Sequence, residues 1–558
     1  MILRTEIHTK TVGGKTLFRD LSVGINKDEK AAVIGRNGIG KTTLFNMMAG
    51  HDEDYDGKIV RRRGLKIVST SQEHHSLGDQ TTLDYIYANL PDYQRMKQVI
   101  ETYPEHMGDN LSKINTYSET LERFSELGYF HLEDSLIRAL ADYQITEDMA
   151  RGPFKNLSGG QKRFVDLARV QFADADLALI DEPTNHMDYI AKAAFIDWLQ
   201  AAPHACLIIT HDRDVLAQVE RIIEVKNQKV LSFKGNYDDY LRQNTQSTTT
   251  QLQNYEVAQQ TIINLKKQIE HARAMKPKWG GTADKKNPFV VMEERLTKKL
   301  EEVIRDNPKP SFWIDRESAA ALNPKMTEKY DKYKEKNIRL HNVKSDERSL
   351  KMLNLHEVVL GYSQPLFKPV TFGLSHGDRL HIVGRNGAGK TTLVKAVMAA
   401  AAGARPQTLI SGSIECDRRL RLSVYEQEVD GDILDLTLYD ALEKFFEDFQ
   451  QVYSRQTIMR FMGDYLFDPA ADSNILVRNL SGGQKARLQL IKMLMPKPNL
   501  LILDEPTNHL DLPSIEELEN ALKNYHGAVL YVSHDSYFAR NVGGSQISLQ
   551  KNGHSVEI

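Results

Sequence analysis

Two stretches of this chain have the residue types and spacing to hold a polyphosphate: "GRNGIGKTT" at 35–43 and "GRNGAGKTT" at 384–392. Each fits G-x-x-x-x-G-K-[ST], follows an apolar strand signal ("AAVIG" or "LHIVG") and opens a helical pattern, the context that the motif requires. Its glycines, Gly35 and Gly40 in one copy and Gly384 and Gly389 in the other, let backbone amides turn toward phosphate oxygens. Lys41 and Lys390 then hold β- and γ-phosphates, and the hydroxyls of Thr42 and Thr391 hold Mg2+.

Acidic runs accompany both loops. "LALIDEPTNHMD" and "LLILDEPTNHLD" read as buried strands that end in Asp181 and Asp504, at a carboxyl edge beside the phosphates. Glu182 and Glu505 follow at once and project differently, because neighbouring strand side chains point to different faces; either one can polarise an attacking water. His211 in "ITHD" and His534 in "VSHD" close the next apolar strands. "LSGGQK" occurs at 157–162 and at 480–485, a second glycine-rich loop opening a second helix and hence a second anion-facing surface per half. The acidic run "DEDYDG" at 52–57 imitates half of a calcium loop, but Arg63 stands where a bidentate glutamate is needed.

The motifs recur in register, so the chain is a duplication. The offset is 349 between the phosphate loops, 355 between Gln72 and Gln427, and 323 from Ser158 and Ser481 onward, which gives the first half about 32 extra residues. This arm lies in a mostly helical stretch, roughly 75–145. Strand and helix signals alternate through each half, which predicts an α/β fold with a largely parallel sheet. The expected domains are residues 1–241, a linker at 242–351, and residues 352–558. In the linker, Ile262, Leu265, Ile269 and Ala272 recur at helical spacing, as do Phe289, Met292, Leu296 and Leu300, on either side of "KPKWGGTADKKNP". This predicts a helical hairpin whose first helix runs from about 251 to 276 and reaches roughly 39 Å.

Length and composition bound the rest. With 558 residues, 41% apolar and 26% charged, the chain needs more than one core, and its net charge of −3 gives no whole-molecule pull toward nucleic acid or membrane. The linker differs: 23 lysines and arginines against 15 acids give it +8. Its turn gathers Arg273, Lys276, Lys278, Lys285 and Lys286 around Trp279, cations for phosphates and a ring for an unpaired base, so RNA contact is expected there. Two cysteines fit a reducing, cytoplasmic setting, and no apolar stretch approaches a spanning helix.

Taken together, the paired phosphate loops, "LSGGQ" copies and acidic runs resemble the ATP-binding cassette family. Two cassettes on one chain, "EPTNH" after each strand-end acid and a long charged linker resemble its ABC-F group of translation factors and ribosome-protection proteins. That resemblance implies tandem cassettes of the P-loop fold with helical subdomains, stacked head to tail, hydrolysing ATP with Mg2+. One site would join Gly35, Asn37, Gly38, Gly40, Lys41, Thr42, Thr43, Gln72, Asp181, Glu182 and His211 to Ser481 and Gly483. The other would join Gly384, Asn386, Gly387, Gly389, Lys390, Thr391, Thr392, Gln427, Asp504, Glu505 and His534 to Ser158 and Gly160. Thr42, Gln72 and Asp181, with Thr391, Gln427 and Asp504, would serve Mg2+. Tyr362 stands where the family stacks adenine, but Val12 occupies the matching place. Phe164 replaces an arginine after the first "LSGGQ", and Met187 replaces a leucine. The implied partner is the ribosome in its rRNA and tRNA region, in translation or in protection from antibiotics. A transporter motor with separate membrane subunits and a DNA-repair ATPase are the alternatives.

Overall fold

A computed structural model of the chain describes residues 1–70, 80–275, 288–306, 351–425 and 429–550, apart from single positions such as His186, Ser481 and His509. Met1–Tyr237 and Asn337–Ile558 form one compact unit and Asp238–Lys336 a second.

In the first half the strands are β1 (Leu3–Val12), β2 (Lys15–Ile25), β3 (Lys30–Gly35), β4 (Asp56–Arg61), β5 (Ile67–Ser69), β6 (Leu177–Asp181), β7 (Ala205–Ile209), β8 (Arg221–Lys226) and β9 (Lys229–Lys234). Six of them form a sheet in the order β5-β6-β7-β3-β8-β9, parallel except for the β8–β9 hairpin. Every residue of β3, β6 and β7 is buried, as continuous apolar runs covered on both faces must be. A small antiparallel sheet, β2-β1-β4, packs its alternate residues Leu3, Ile7, Leu21 and Val23 into one core with Leu44 and Met48. The second core lies beneath the helices and joins Leu136, Leu140, Phe164 and Ala168 to the other face of β6 and β7.

The second half repeats this plan with β10 (Lys351–Leu360), β11 (Val370–Ser375), β12 (Arg379–Val383), β13 (Leu409–Cys416), β14 (Leu422–Tyr425), β15 (Leu500–Asp504), β16 (Ala528–Val532) and β17 (Ser545–Ser548). Its sheets run β14-β15-β16-β12-β17 and β11-β10-β13. Where the first half is longer, the helices Tyr93–His106 and Leu111–Glu126 pair; in the second half a short connection joins the helices Leu438–Asp448 and Arg455–Asp464.

The first linker helix runs Tyr237–Met275, so it begins well before the expected 251 and its 39 residues span about 58 Å. Asp238 and Asp239 in its first turn complement the helix dipole, a start signal that apolar periodicity does not carry. Within this second unit, Ala258, Ile262, Leu265, Ile269 and Ala272 make a buried stripe, and Pro288–Asp306 is the other helix.

A paired nucleotide-hydrolysis site

β3 delivers the chain into a loop in which Gly38 (φ 75°) and Gly40 (φ 107°) take left-handed backbone, and a Cβ on Gly40 would lie 2.9 Å from the Phe18 ring. The helix Lys41–Ala49 therefore starts without a side-chain cap, its first amides facing the loop. Lys41 Nζ donates to Gly35 O at 2.6 Å and Arg36 O at 3.3 Å, and lies 3.0 Å from His211 Nε2. Lys390 repeats this with Gly384 O at 2.8 Å, Arg385 O at 3.3 Å and His534 Nε2 at 3.0 Å. Burial lowers both ammonium pKa values against the raising effect of nearby carboxylates. Thr43 and Thr392 occupy the third position of their helices.

Beside each lysine, a threonine hydroxyl meets the strand-end aspartate: Thr42 Oγ1 to Asp181 Oδ2 and Thr391 Oγ1 to Asp504 Oδ2, both 2.8 Å. A hydroxyl paired with one carboxylate is the hard-oxygen set that suits Mg2+, which keeps waters and phosphates as its other ligands. Gln72 and Gln427 lie outside the described residues.

Glu182 (φ 46°) and Glu505 (φ 47°) sit in the left-handed region, unusual for a residue with a Cβ. Their amides are held there by the next strand, Glu182 N to Ile209 O at 2.8 Å and Glu505 N to Val532 O at 2.9 Å. The turn puts Glu182 Oε1 3.5 Å from His211 Nε2 and Glu505 Oε1 3.2 Å from His534 Nε2. Burial pushes both carboxyls up to about 7, against the lowering effect of Lys41 or Lys390. It also holds His211 well below the ordinary value and His534 down to about 3. Burial thus disfavours the charged imidazole in both, and each Nε2 lies within hydrogen-bond distance of its loop ammonium.

The two halves meet through a pair of aspartates at the end of the acidic runs. Asp511 Oδ2 accepts from Asn37 N at 3.2 Å, and Asp188 Oδ2 accepts from Asn386 N at 3.1 Å, so each half grips the phosphate loop of the other. The remaining oxygen of each caps its own helix: Asp188 Oδ1 takes Ala191 N at 3.0 Å and Asp511 Oδ1 takes Ser514 N at 3.1 Å. Burial raises the Asp188 carboxyl, but these amides and Arg385 hold it below the usual range. Lys192 Nζ crosses as well, to His534 O at 2.6 Å, while Arg213 reaches Glu519 and lies 3.3 Å from Asp535. Sequence reasoning passed over Asp188 and Asp511, although both are the last letters of the repeated runs. A cavity of about 740 Å3 lies between the halves, lined among others by Asn37, Glu182, Asn386, Thr391, Glu505 and His534.

Other expected residues are placed elsewhere. Ser158 caps the helix Gly159–Gln171 in a reciprocal box with Gln161 (Ser158 N to Gln161 Oε1 2.9 Å), and it is exposed. Neither Ser158 nor Gly160 lines the shared cavity. Ser481 lies outside the described residues, and Gly483 falls in the first turn of the helix Gly482–Leu494. Tyr362, 79% exposed, lies two residues beyond the end of β10, and Val12, 49% exposed, ends the equivalent strand β1. Arg273 pairs with Glu293 at 2.7 Å across the linker helices; Lys276, Lys278, Trp279, Lys285 and Lys286 lie outside the described residues. Asp52, from the calcium-like run, accepts from buried Lys10 at 2.9 Å. No described helix is long and apolar enough to cross a membrane.

Phosphate loops, strand-end acids and a crossed interface define a tandem P-loop ATPase. The ABC transporter family model matches residues 18–185 and 367–508, and an extension model of the same description matches 223–312. The chain belongs to the ATP-binding cassette family, in its ABC-F group, and hydrolyses ATP. It is 26% identical to "Ribosome protection protein VmlR" of Bacillus subtilis (strain 168), over 98% of this chain and 86% of that one. "ABC transporter F family member 5" of Arabidopsis thaliana is also 26% identical, over 97% and 74%. Among solved structures, the archaeal ribosome recycling factor aABCE1, in complex with the stalk protein aP1, superposes with a TM-score of 0.53 at 16% identity. That match covers 99% of this chain and 88% of the other, a likeness of fold.

Proposed function

We propose that this protein is a cytoplasmic ATP-driven clamp that acts on the ribosome, in translation or in relieving an inhibitor bound there. The observation that carries the clamp is the reciprocal grip of Asp188 on Asn386 and Asp511 on Asn37, which makes each phosphate loop depend on the opposite half. The ribosome enters through the relative named as a ribosome protection protein and through the basic turn of the linker.

In each site the loop amides and Lys41 or Lys390 bind the β- and γ-phosphates of ATP. Ser481 and Gly483, or Ser158 and Gly160, approach the γ-phosphate from the other half when the clamp closes. Thr42, Asp181 and Gln72, with Thr391, Asp504 and Gln427, would hold Mg2+, which when bound would offset charge on the phosphate oxygens. Glu182 or Glu505 accepts the proton of a water whose oxygen bonds to the γ-phosphorus; the bond to the bridging oxygen breaks and ADP leaves. A carboxyl poised near 7 suits that task, because it is a stronger base than an ordinary carboxylate. His211 and His534, neutral and hydrogen-bonded to the loop lysine, orient the glutamate and the phosphate end. Tyr362 stacks on adenine in the second site. Arg273, Lys276, Lys278, Lys285 and Lys286 neutralise RNA phosphates, and Trp279 stacks on a base.

The test is Glu182→Gln with Glu505→Gln in the full chain. With ATP, the double variant is expected to sediment with 70S ribosomes and to stall translation, and adding Lys41→Ala and Lys390→Ala is expected to release it. A double variant that stays free of ribosomes under ATP, or travels with membranes or DNA, refutes the ribosome reading and leaves the ATPase standing.

A further inference from the structure

The second cassette carries a cleft of about 900 Å3 at the amino ends of β14, β15 and β16, the opposite edge of the sheet from the phosphate loop. Its floor is apolar, with Phe446, Tyr465, Met495 and Tyr525 all buried, and Val452 on its rim is 99% exposed. The same ground exists in the first cassette, where two pairs of bonds between side chain and main chain fix the equivalence. Lys66 N donates to Asp176 Oδ2 at 3.0 Å, as Arg421 N does to Asn499 Oδ1 at 2.8 Å. Tyr129 Oη reaches Phe172 O at 3.4 Å, as Gln451 Nε2 reaches Met495 O at 2.6 Å. Asp174 and Lys497 are therefore counterparts, each two residues before the acceptor.

In the first cassette this ground is covered by the chain's own arm. Tyr93 and Phe124 of the two arm helices stack with ring centroids 5.8 Å apart, and both pack against Tyr129. The cover is pinned by charge: Arg123 of the arm meets Asp174 at 2.7 Å, and Lys66 meets Asp92 and Asp174, both at 2.8 Å. The second cassette has no arm, and one of the two charges on this ground is reversed. Lys497 replaces the acid that receives Arg123, and Arg421 replaces Lys66. Among the described residues neither cation has a carboxylate within 4 Å; Arg421 Nε donates instead to the Lys497 carbonyl at 3.1 Å. The other two cations of the cleft are already matched, Arg419 with Asp417 at 3.1 Å and Arg460 with Asp464 at 3.9 Å.

We propose that this cleft docks an acidic helical segment of a partner protein, an aromatic side chain on the floor and a carboxylate on Lys497 and Arg421, in the manner of the first cassette's arm with the sign inverted. An apolar floor rimmed by convergent cations selects an amphipathic anion over a neutral or basic one, and the volume of about 900 Å3 accommodates an aromatic anchor with its flanking turn. The inference does not rest on the ribosome reading.

The experiment uses the full chain and two labelled peptides of its own arm, Leu111–His131 unaltered and the same peptide with Arg123→Glu, followed by fluorescence anisotropy. The acidic peptide is expected to bind saturably, with a preference of at least about tenfold over the unaltered one, the scale of removing a like-charge contact. Lys497→Glu is expected to reverse that preference and to leave ATPase activity unchanged, since Lys497 is remote from the nucleotide loops. Equal affinity for the two peptides, or no saturable binding of either below about 1 mM, overturns the proposal. So does Lys497-dependent binding of inorganic tripolyphosphate without peptide binding, which would give the cleft to a small anion.

Discussion

The two cassettes are most alike where the phosphates go and least alike beneath their helical subdomains. The lysine-to-histidine distance is 3.0 Å in both, the threonine-to-aspartate distance 2.8 Å in both, and the strained glutamates differ by one degree in φ. Below the helices, an acid has become a lysine, an arm of two helices has become a short connection, and Phe164 stacked on Tyr143 (5.4 Å) answers to Arg487 over Phe467 (5.1 Å). Phosphoryl transfer tolerates little displacement of the groups around it, whereas a helix face has only to be covered. The chemistry held the duplicates together, and packing let them part.

That contrast can be attacked from its strongest side first. If the sites are coupled through the crossed aspartates, Glu182→Gln and Glu505→Gln together should lower the ATPase rate by about 10²–10⁴. Either one alone should already fall well below half. A single variant that keeps half or more of the steady-state rate would show two independent sites.

Next comes the region where the halves diverge. Phe164→Ala empties a buried aromatic position and should cost about 3–5 kcal/mol of stability. Arg487→Ala removes a cation from a ring and should cost about 0.5–1 kcal/mol for that contact. Chemical denaturation of the two variants side by side reads the difference, and equal losses would mean that the two pairs do the same structural work.

The crossed aspartates should themselves be unequal. Asp188 also accepts from Gln144 and from Ile190 N and lies 3.6 Å from Arg385, where Asp511 has in addition the Ser514 hydroxyl. Asp188→Ala should lose a helix cap of about 0.5–2 kcal/mol and a charged hydrogen bond of about 1.5–3 kcal/mol. Asp511→Ala should be milder by about 1 kcal/mol, the size of one further hydrogen bond. Melting temperature and ATPase rate measure both, and an Asp511→Ala variant that is the worse of the two reverses the asymmetry.

The last contrast is at the adenine position. Val12→Tyr should strengthen nucleotide binding at the first site by about 1–3 kcal/mol, the range for a base stacked on a ring. A titration with the second site disabled by Lys390→Ala measures it. Unchanged affinity would mean that another group holds that base.

Much of this was legible in the residues. The loops around Lys41 and Lys390, the strand ends at Asp181 and Asp504 and the duplication rest on local spacing and hydrophobic periodicity, which the chain carries without reference to its neighbours. The start of the linker helix at Tyr237 was missed because polar residues there break the apolar period although its acidic first turn favours a helix.

By itself, then, the sequence determined that two glycine-rich loops of the phosphate-binding pattern exist, that a lysine, a threonine and acids accompany each, and that the halves are copies. Only the tertiary structure decided that Glu182 and Glu505 turn left-handed toward a histidine, because a strand 27 residues further on supplies the acceptor for Glu182 N. It alone decided that Asp188 and Asp511 hold the opposite loops, and that Lys497 faces a cleft where Asp174 faces an arm. These are contacts between residues far apart in the chain. Their energies depend on distance and burial, and no local spacing encodes either.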